Sequence, residues 1–315
     1  MTKTFSYMFL TAWLACVPAC AQQNPAAAQD YASRPVTFKT ADGWTLSAVY
    51  RPPQPDRQVL LFLHSHKEDN SIWRPLALKT EAMGFGTLLL DFRGHGGSTL
   101  GPGGETVNYP SFDRDVSGPE NEYNKMTEDV NAALKFLRDE GFGPDRVILV
   151  GAGLGANIAI KSAAEHSDIA MTALFTPTLN ANRGVLAVNP LRSYGARPVF
   201  VAASVENSRL YQEVSVLRAI LYHSAGGRNV TFVTARKGSS AELITPDVIN
   251  SFLLWLRQPC MPEPVQYRPP GYDDDQPSID SGEDEPVPDD SAGTDQNGVP
   301  VDDDGLGDEV TSTPE

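Results

Sequence analysis

Cysteine is scarce in this sequence: three in 315 residues, at positions 16, 20 and 260, with no Cys-x-x-Cys spacing. That excludes a disulfide-stapled framework, a zinc ribbon and a dithiol redox motif. A surplus of positive charge is also missing, since the formal net charge is −15. The deficit is local. Residues 261–315 hold 17 acidic residues against the single base Arg268, which leaves the first 260 residues at a net +1. With no basic stripe to follow a phosphate backbone, nucleic-acid binding is excluded as a function class. No apolar run reaches the roughly 20 residues that cross a bilayer. Histidine is sparse too, with five in the chain and none after His223. That shortage bears on any reaction needing a base near neutral pH.

The two ends read as separate from the middle. Lys3, an apolar run from Phe5 to Val17 broken by Ser6 and Thr11, and a small-residue site at Ala19-Cys20-Ala21 have the form of an export signal over residues 1–21. Cleavage after Ala21 fits. So does lipoprotein processing, because Val17-Pro18-Ala19-Cys20 resembles a lipobox. The expected location is secreted, periplasmic or cell envelope, with membrane attachment only through a lipid on Cys20. Residues 22–34 read as a linker and residues 259–315 as a tail rich in proline and aspartate. Its apolar residues are too few to offset the roughly 1–2 kcal/mol per residue of ordering entropy, so it is expected to be disordered. Within it, Asp302, Asp304 and Asp308 surround a glycine turn and make weak calcium candidates, although the closing glutamate of an EF-hand loop is missing. A soluble spacer is the simpler reading.

Residues 35–258 alternate between strand and helix patterns. Two strands flank an Ala41-Asp42-Gly43 turn, and the runs 58–64, 86–92, 146–151, 169–175, 198–203 and 229–235 read as strands, several of them apolar enough to be buried on both faces. Helices are expected over 71–83, over 125–140, where Met126, Val130, Leu134 and Leu137 share one face, and over 154–166. A last helix has Thr245 at its N-cap and Pro246 at its first position. This order predicts an α/β fold with a mostly parallel central sheet flanked by helices. In such sheets, sites lie along the rim of strand carboxyl ends. Here that rim comprises 64–70, 91–97, 151–155, 204–208 and 237–241.

Two motifs then carry a resemblance. Arg93-Gly94-His95-Gly96-Gly97-Ser98 follows a buried strand, and Val150-Gly151-Ala152-Gly153-Leu154-Gly155 joins a strand to a helix. Both resemble α/β-hydrolases, close to the serine esterases, peptidases and dienelactone hydrolases, over the whole middle domain. The second is similar to the nucleophile elbow, Gly-x-Ser-x-Gly, whose serine attacks the acyl carbon. Gly153 stands at the serine position. Gly151-x-Gly153-x-x-Ala156 also meets a loose dinucleotide pattern, but it comes late in the domain and no carboxylate ends the following strand.

The resemblance implies the remaining roles. The triad acid falls on Glu206 or Asn207, the histidine position falls on Ser239, and the oxyanion hole would use the N–H of Leu154 with a partner at Ser65 or His66. His64-Ser65-His66 replaces the family's common His-Gly opening, and His95 lines the same rim. His64, His66, Asp91 and His95 also form a conceivable metal or acid–base set, for which structural histidines are the simpler reading. Tyr109, Phe112 and Tyr123, in a long excursion over 94–124, are candidates to cover the pocket.

Three functional expectations follow. The first is an exported hydrolase-like protein without serine-hydrolase activity, using no cofactor and binding a small acyl or anionic ligand or a protein partner. The second is an ester or amide hydrolase with an unorthodox catalytic set, for which Ser65 and His66 are the alternates. The third is a surface scaffold that displays the acidic tail.

Overall fold

The computed structural model describes residues 32–258, apart from 114 and 183. The export signal with Cys20, nearly all of the linker, and the tail with Asp302, Asp304 and Asp308 lie outside the described residues.

Ten strands and six helices alternate: β1 (Arg34–Lys39), β2 (Thr45–Arg51), β3 (Val59–Leu63), α1 (Arg74–Ala82), β4 (Gly86–Leu90), α2 (Met126–Asp139), β5 (Val147–Ala152), α3 (Leu154–Glu165), β6 (Met171–Phe175), β7 (Asn180–Ala181), β8 (Val185–Leu186), α4 (Val188–Arg192), β9 (Val199–Ser204), α5 (Ser208–Ser224), β10 (Val230–Ala235) and α6 (Pro246–Arg257). Eight strands form one sheet in the order β1-β2-β4-β3-β5-β6-β9-β10. β1–β2 and β2–β4 pair antiparallel, and every other pairing in that sheet is parallel. β7 and β8 make a separate two-stranded ribbon.

Residue pattern accounts for these positions. β3, β4, β5, β6 and β9 are buried along their whole length, as strands covered on both faces must be. β2 lies near the edge and alternates, burying Leu46, Ala48 and Tyr50. Alternate side chains of the central strands enter two apolar layers. Leu61, Leu63, Leu88, Leu90, Val147 and Leu149 pack with residues of α2, α3 and α5. Leu60, Phe62, Ile148, Val150 and Phe200 pack on the other face with Leu76, Phe252 and Trp255 of α1 and α6. Trp73, fully buried just before α1, closes that layer with its ring 5.2 Å from Phe62 and 5.6 Å from Phe175.

Thr245 occupies the N-cap position of α6 with Pro246 following, but its side chain makes no capping hydrogen bond. Two regions carried no sequence expectation. α5 buries only Val214, Leu217 and Leu221 while Val216 is half exposed, so its apolar residues trace no single stripe. The β7–β8 ribbon and α4 form an excursion held by Asn157 of α3. Its Nδ2 donates to the carbonyls of Thr178 (2.9 Å) and Val185 (2.8 Å), and its Oδ1 accepts from the Thr178 N–H (3.0 Å).

Two buried polar groups join the strand ends. Arg93, after β4, has no exposed side-chain surface and bonds Asp129 of α2 through Nε (2.8 Å), Nη2 (2.7 Å) and its backbone N–H (2.9 Å). Its Nη1 reaches the partly exposed Asp42 at 2.7 Å. Burial pushes the Asp129 carboxyl up to about 6 against the pull of Arg93. His64 joins β3 to the segment after β4. Its Nδ1 donates to the Ser65 carbonyl (2.7 Å), which fixes the tautomer, and its Nε2 accepts the Phe92 N–H (3.0 Å). Burial, with a smaller push from His95, drives the His64 ring down to about 3, so it is neutral in the fold.

Each pair gives an expected outcome. Asp129→Ala strands the Arg93 charge in the core and should cost about 3–5 kcal/mol in urea denaturation, while the exposed-side change Asp42→Asn costs much less. For His64 the folded pKa lies below the unfolded value near 6.5, so the unfolded chain binds the extra proton. The stabilisation is therefore complete above that value and is lost as pH falls toward 3. Between pH 7 and 5 the wild type should lose about 2 kcal/mol more than His64→Gln does. An equal loss in both proteins would contradict this assignment.

Candidate functional site

The elbow lies where β5 ends and α3 begins. Gly153, at φ +52° and ψ −115°, turns the chain between them, in a region where a side chain costs on the order of 1–3 kcal/mol. Its N–H donates to the Phe175 carbonyl (2.9 Å), and its own carbonyl accepts from Ala156 (3.1 Å) and Asn157 (3.3 Å). Two residues on, a Cβ at Gly155 would overlap the Leu63 carbonyl oxygen, so the small residue lets α3 lie against the end of β3. This close approach brings the loop after β3 to the head of the elbow.

Ser65 stands there. A Cβ built on Gly153 would overlap the Ser65 Oγ and lie 3.0 Å from its Cβ. The same Oγ accepts the Leu154 N–H at 3.3 Å. Ser65 therefore fills the space above the elbow and engages the donor that an oxyanion would need. Of the two expected partners for Leu154, the Ser65 N–H does not face the hole, because it donates to Glu68 Oε2 at 3.0 Å.

Glu68 also receives the Ser240 hydroxyl, which lies 2.8 Å from Oε1 and 2.7 Å from Oε2. The carboxylate thus ties the loop after β3 to the loop after β10. Ser240 holds a left-handed backbone at φ +48°, uncommon for a residue other than glycine. Neither residue stood out in the sequence beyond its place on the rim, since a single Glu and a single Ser 172 positions apart leave no pattern.

The two acid candidates separate clearly. Glu206 Oε2 accepts the Gly238 N–H at 3.4 Å, so it reaches the loop where a triad histidine would stand. Asn207 instead caps α5, its Oδ1 accepting from the Leu210 N–H at 3.1 Å. Ser239 is exposed and lines an open polar groove with Glu206, while its neighbour Ser240 turns inward to Glu68.

Three histidine rings gather at the rim beside Ser65. His95 lies 5.1 Å from His64 and 6.1 Å from His66, ring to ring. The His95 Nδ1 donates to the Arg93 carbonyl (2.9 Å), and burial lowers its pKa. Tyr109 stacks on His95 at 4.5 Å, and His66 packs edge-on against Tyr109 and Tyr123, both at 5.1 Å. Tyr109, partly buried, thus packs over this cluster, whereas Tyr123 and Phe112 both belong to the core, Phe112 against Trp44 and Tyr123. Asp91 is held by N–H donors from Asn70 (2.7 Å) and Gly97 (2.9 Å), and a Cβ at Gly96 would overlap its carboxylate. Among the described residues, no group of three or more His, Cys, Asp or Glu side chains is placed to hold a metal ion.

Comparison with known proteins agrees with the geometry. The chain resembles the esterase Pf2001 of Pyrococcus furiosus at 16% identity and TM-score 0.57, covering 72% of this chain and 92% of that one. A dienelactone hydrolase from Anabaena variabilis is similar at 14% identity and TM-score 0.53, over 71% and 94% of the two chains. The α/β hydrolase GrgF from Penicillium aligns at 12% identity and TM-score 0.55, over 73% and 99%. At these identities the likeness shows the fold alone. No curated protein is significantly similar in sequence. The family model for serine aminopeptidase, S33, matches residues 54–235, more than half of the chain and from just before β3 to the end of β10. The chain therefore belongs to the serine aminopeptidase S33 family and carries an α/β-hydrolase fold.

Proposed function

We propose that this protein is an exported member of its family that performs no serine-hydrolase reaction and acts by binding. The overlap between a Cβ on Gly153 and the Ser65 hydroxyl carries the proposal. Acyl transfer needs an oxygen nucleophile on the elbow, a base to take its proton and two free N–H donors for the oxyanion. At the elbow stands a residue without a side chain. The loop over 236–242 contains no histidine, and serine has no group that accepts a proton near neutral pH. The Leu154 N–H is engaged by Ser65 Oγ. All three requirements are unmet together, which favours a retained architecture over a rearranged triad.

The geometry also revises the expected ligand. A carboxylate or carbonyl oxygen seeking the Leu154 N–H has to displace Ser65 Oγ first, so the elbow favours such ligands less than the sequence alone implies. The second reading, hydrolysis by Ser65 itself, draws support from the place its hydroxyl occupies. Against it, the donor that would stabilise the oxyanion is the one already bonded to Ser65 Oγ. Export to the cell envelope stays part of the proposal on the strength of residues 1–21.

Two outcomes test the reading. A panel of nitrophenyl esters and aminoacyl anilides at neutral to mildly alkaline pH should show no turnover above a heat-denatured control. Turnover abolished by Ser65→Ala would establish the second reading in its place. Separately, Gly153→Ser should destabilise the protein by about 2–4 kcal/mol through backbone strain and overlap with Ser65. In a Ser65→Gly background the same change should cost at least about 1 kcal/mol less, measured as the coupling in a double-mutant cycle. Additive effects would mean that the two side chains do not compete for one space.

A further inference from the structure

We infer that the groove between α1 and the β1–β2 hairpin holds the ring of Tyr31, so that the segment before β1 is strapped to the domain. α2 covers one face of the hairpin, where Val36 is buried and Phe38 stacks on Phe136 at 5.2 Å. The other face is covered only in part. α1 commits Leu76 and Ala77 to the layer over the central strands, and Val49 of β2 is left partly exposed beside it. Between them lies a groove of about 250 Å³ walled by Val49, Ala77, Leu78 and Leu89. Leu78 is 64% exposed, more than any other large apolar side chain described, so this wall lacks a cover of its own.

The described chain begins at this groove. Ser33 lines it, and the pairing of β1 with β2 starts only at Arg34. Tyr31 precedes Ser33 by two residues, about 7 Å of extended backbone, and residues two apart in an extended segment point to the same side. In residues 22–31, Gln-Gln-Asn-Pro-Ala-Ala-Ala-Gln-Asp-Tyr, Tyr31 is the one large apolar side chain. A single ring therefore meets a groove of single-ring size.

Size and charge favour this occupant over others. A stable interface with a second copy would need roughly 1,000 Å² of buried surface, far more than one such groove provides. The Arg74 guanidinium, which also lines the groove, pairs with no described carboxylate. Glu81 beside it is already held by Arg51 and Thr87, both at 2.8 Å. A docked Tyr31 offers Arg74 a ring face, and Asp30, its neighbour in sequence, offers a carboxylate. The strap also bears on how the site is presented. β1 runs in the same direction as β4, so its first residue lies on the side of the sheet away from the rim. A chain held at Tyr31 leaves the domain from the α1 side, and tethering at the N-terminal end would leave the rim open.

Limited digestion of the full chain with chymotrypsin tests this, following by mass spectrometry the fragment that begins at Ala32. Cleavage after Tyr31 requires the ring to leave the groove, so its rate tracks the undocked fraction. Leu78→Glu puts a charge in the apolar wall at an exposed position and should speed this cleavage at least tenfold, with an unchanged circular dichroism spectrum. Arg74→Glu keeps the apolar wall and should speed it about threefold. Equal cleavage in the wild type and both variants would overturn the inference, because Tyr31 would then be free or held elsewhere. A sedimentation coefficient lowered by Leu78→Glu, with cleavage at Tyr31 unchanged, would overturn it in favour of a second copy in the groove.

Discussion

Above the β5–α3 turn, the space that a side chain on Gly153 would take is held by the Ser65 hydroxyl, which reaches it from the side. In an elbow that attacks acyl groups, that atom arrives from the turn itself, on a side chain strained at positive φ. Here Gly153 relieves the strain at φ +52° and leaves the space to the hydroxyl of the opposite loop, which bonds the Leu154 N–H. The two residues are complementary. Glycine at 153 leaves its space to the Ser65 hydroxyl, and a side chain at 153 would require that hydroxyl to turn away. A change at either position alone is therefore conditioned by the other.

The surrounding structure reinforces this arrangement. Gly155 lets α3 approach the end of β3, which sets the distance between Ser65 and the elbow. His64, neutral and bonded at both ring nitrogens, fixes where β3 hands over to that loop. Glu68 holds the loop from beyond, through the Ser65 N–H and the Ser240 hydroxyl. In a hydrolase a serine–histidine hydrogen bond would connect the elbow with the loop after β10. In this chain a carboxylate–serine clasp connects that loop with the one after β3. The rim thus keeps cross-links between its loops.

Much of this was readable from the chain. Continuous apolar runs such as Val59–Leu63 and Val147–Ala152 announce strands buried on both faces, and glycines at 151, 153 and 155 mark a tight strand-to-helix turn. α5 was not, because its buried residues Val214, Leu217 and Leu221 sit among other apolar positions that face outward. Nor were the β7–β8 ribbon and α4, whose place is set by the amide of Asn157 rather than by periodicity. At the site, one residue of register left the acid position on Glu206 or on the chemically unsuited Asn207; only the fold shows one carboxylate reaching Gly238 and one amide capping a helix. The Glu68–Ser240 bond depends on loop conformation, including the left-handed backbone of Ser240, and such contacts leave no local signal.

The account stands or falls on the rotamer of Ser65. A crystallographic map of the wild-type protein, at a resolution that separates a hydroxyl from an ordered water, should show Ser65 Oγ directed over the Gly153 Cα and within hydrogen-bond reach of the Leu154 N–H. A Ser65 side chain turned away, with a water or ligand oxygen held by Leu154 in its place, would contradict it.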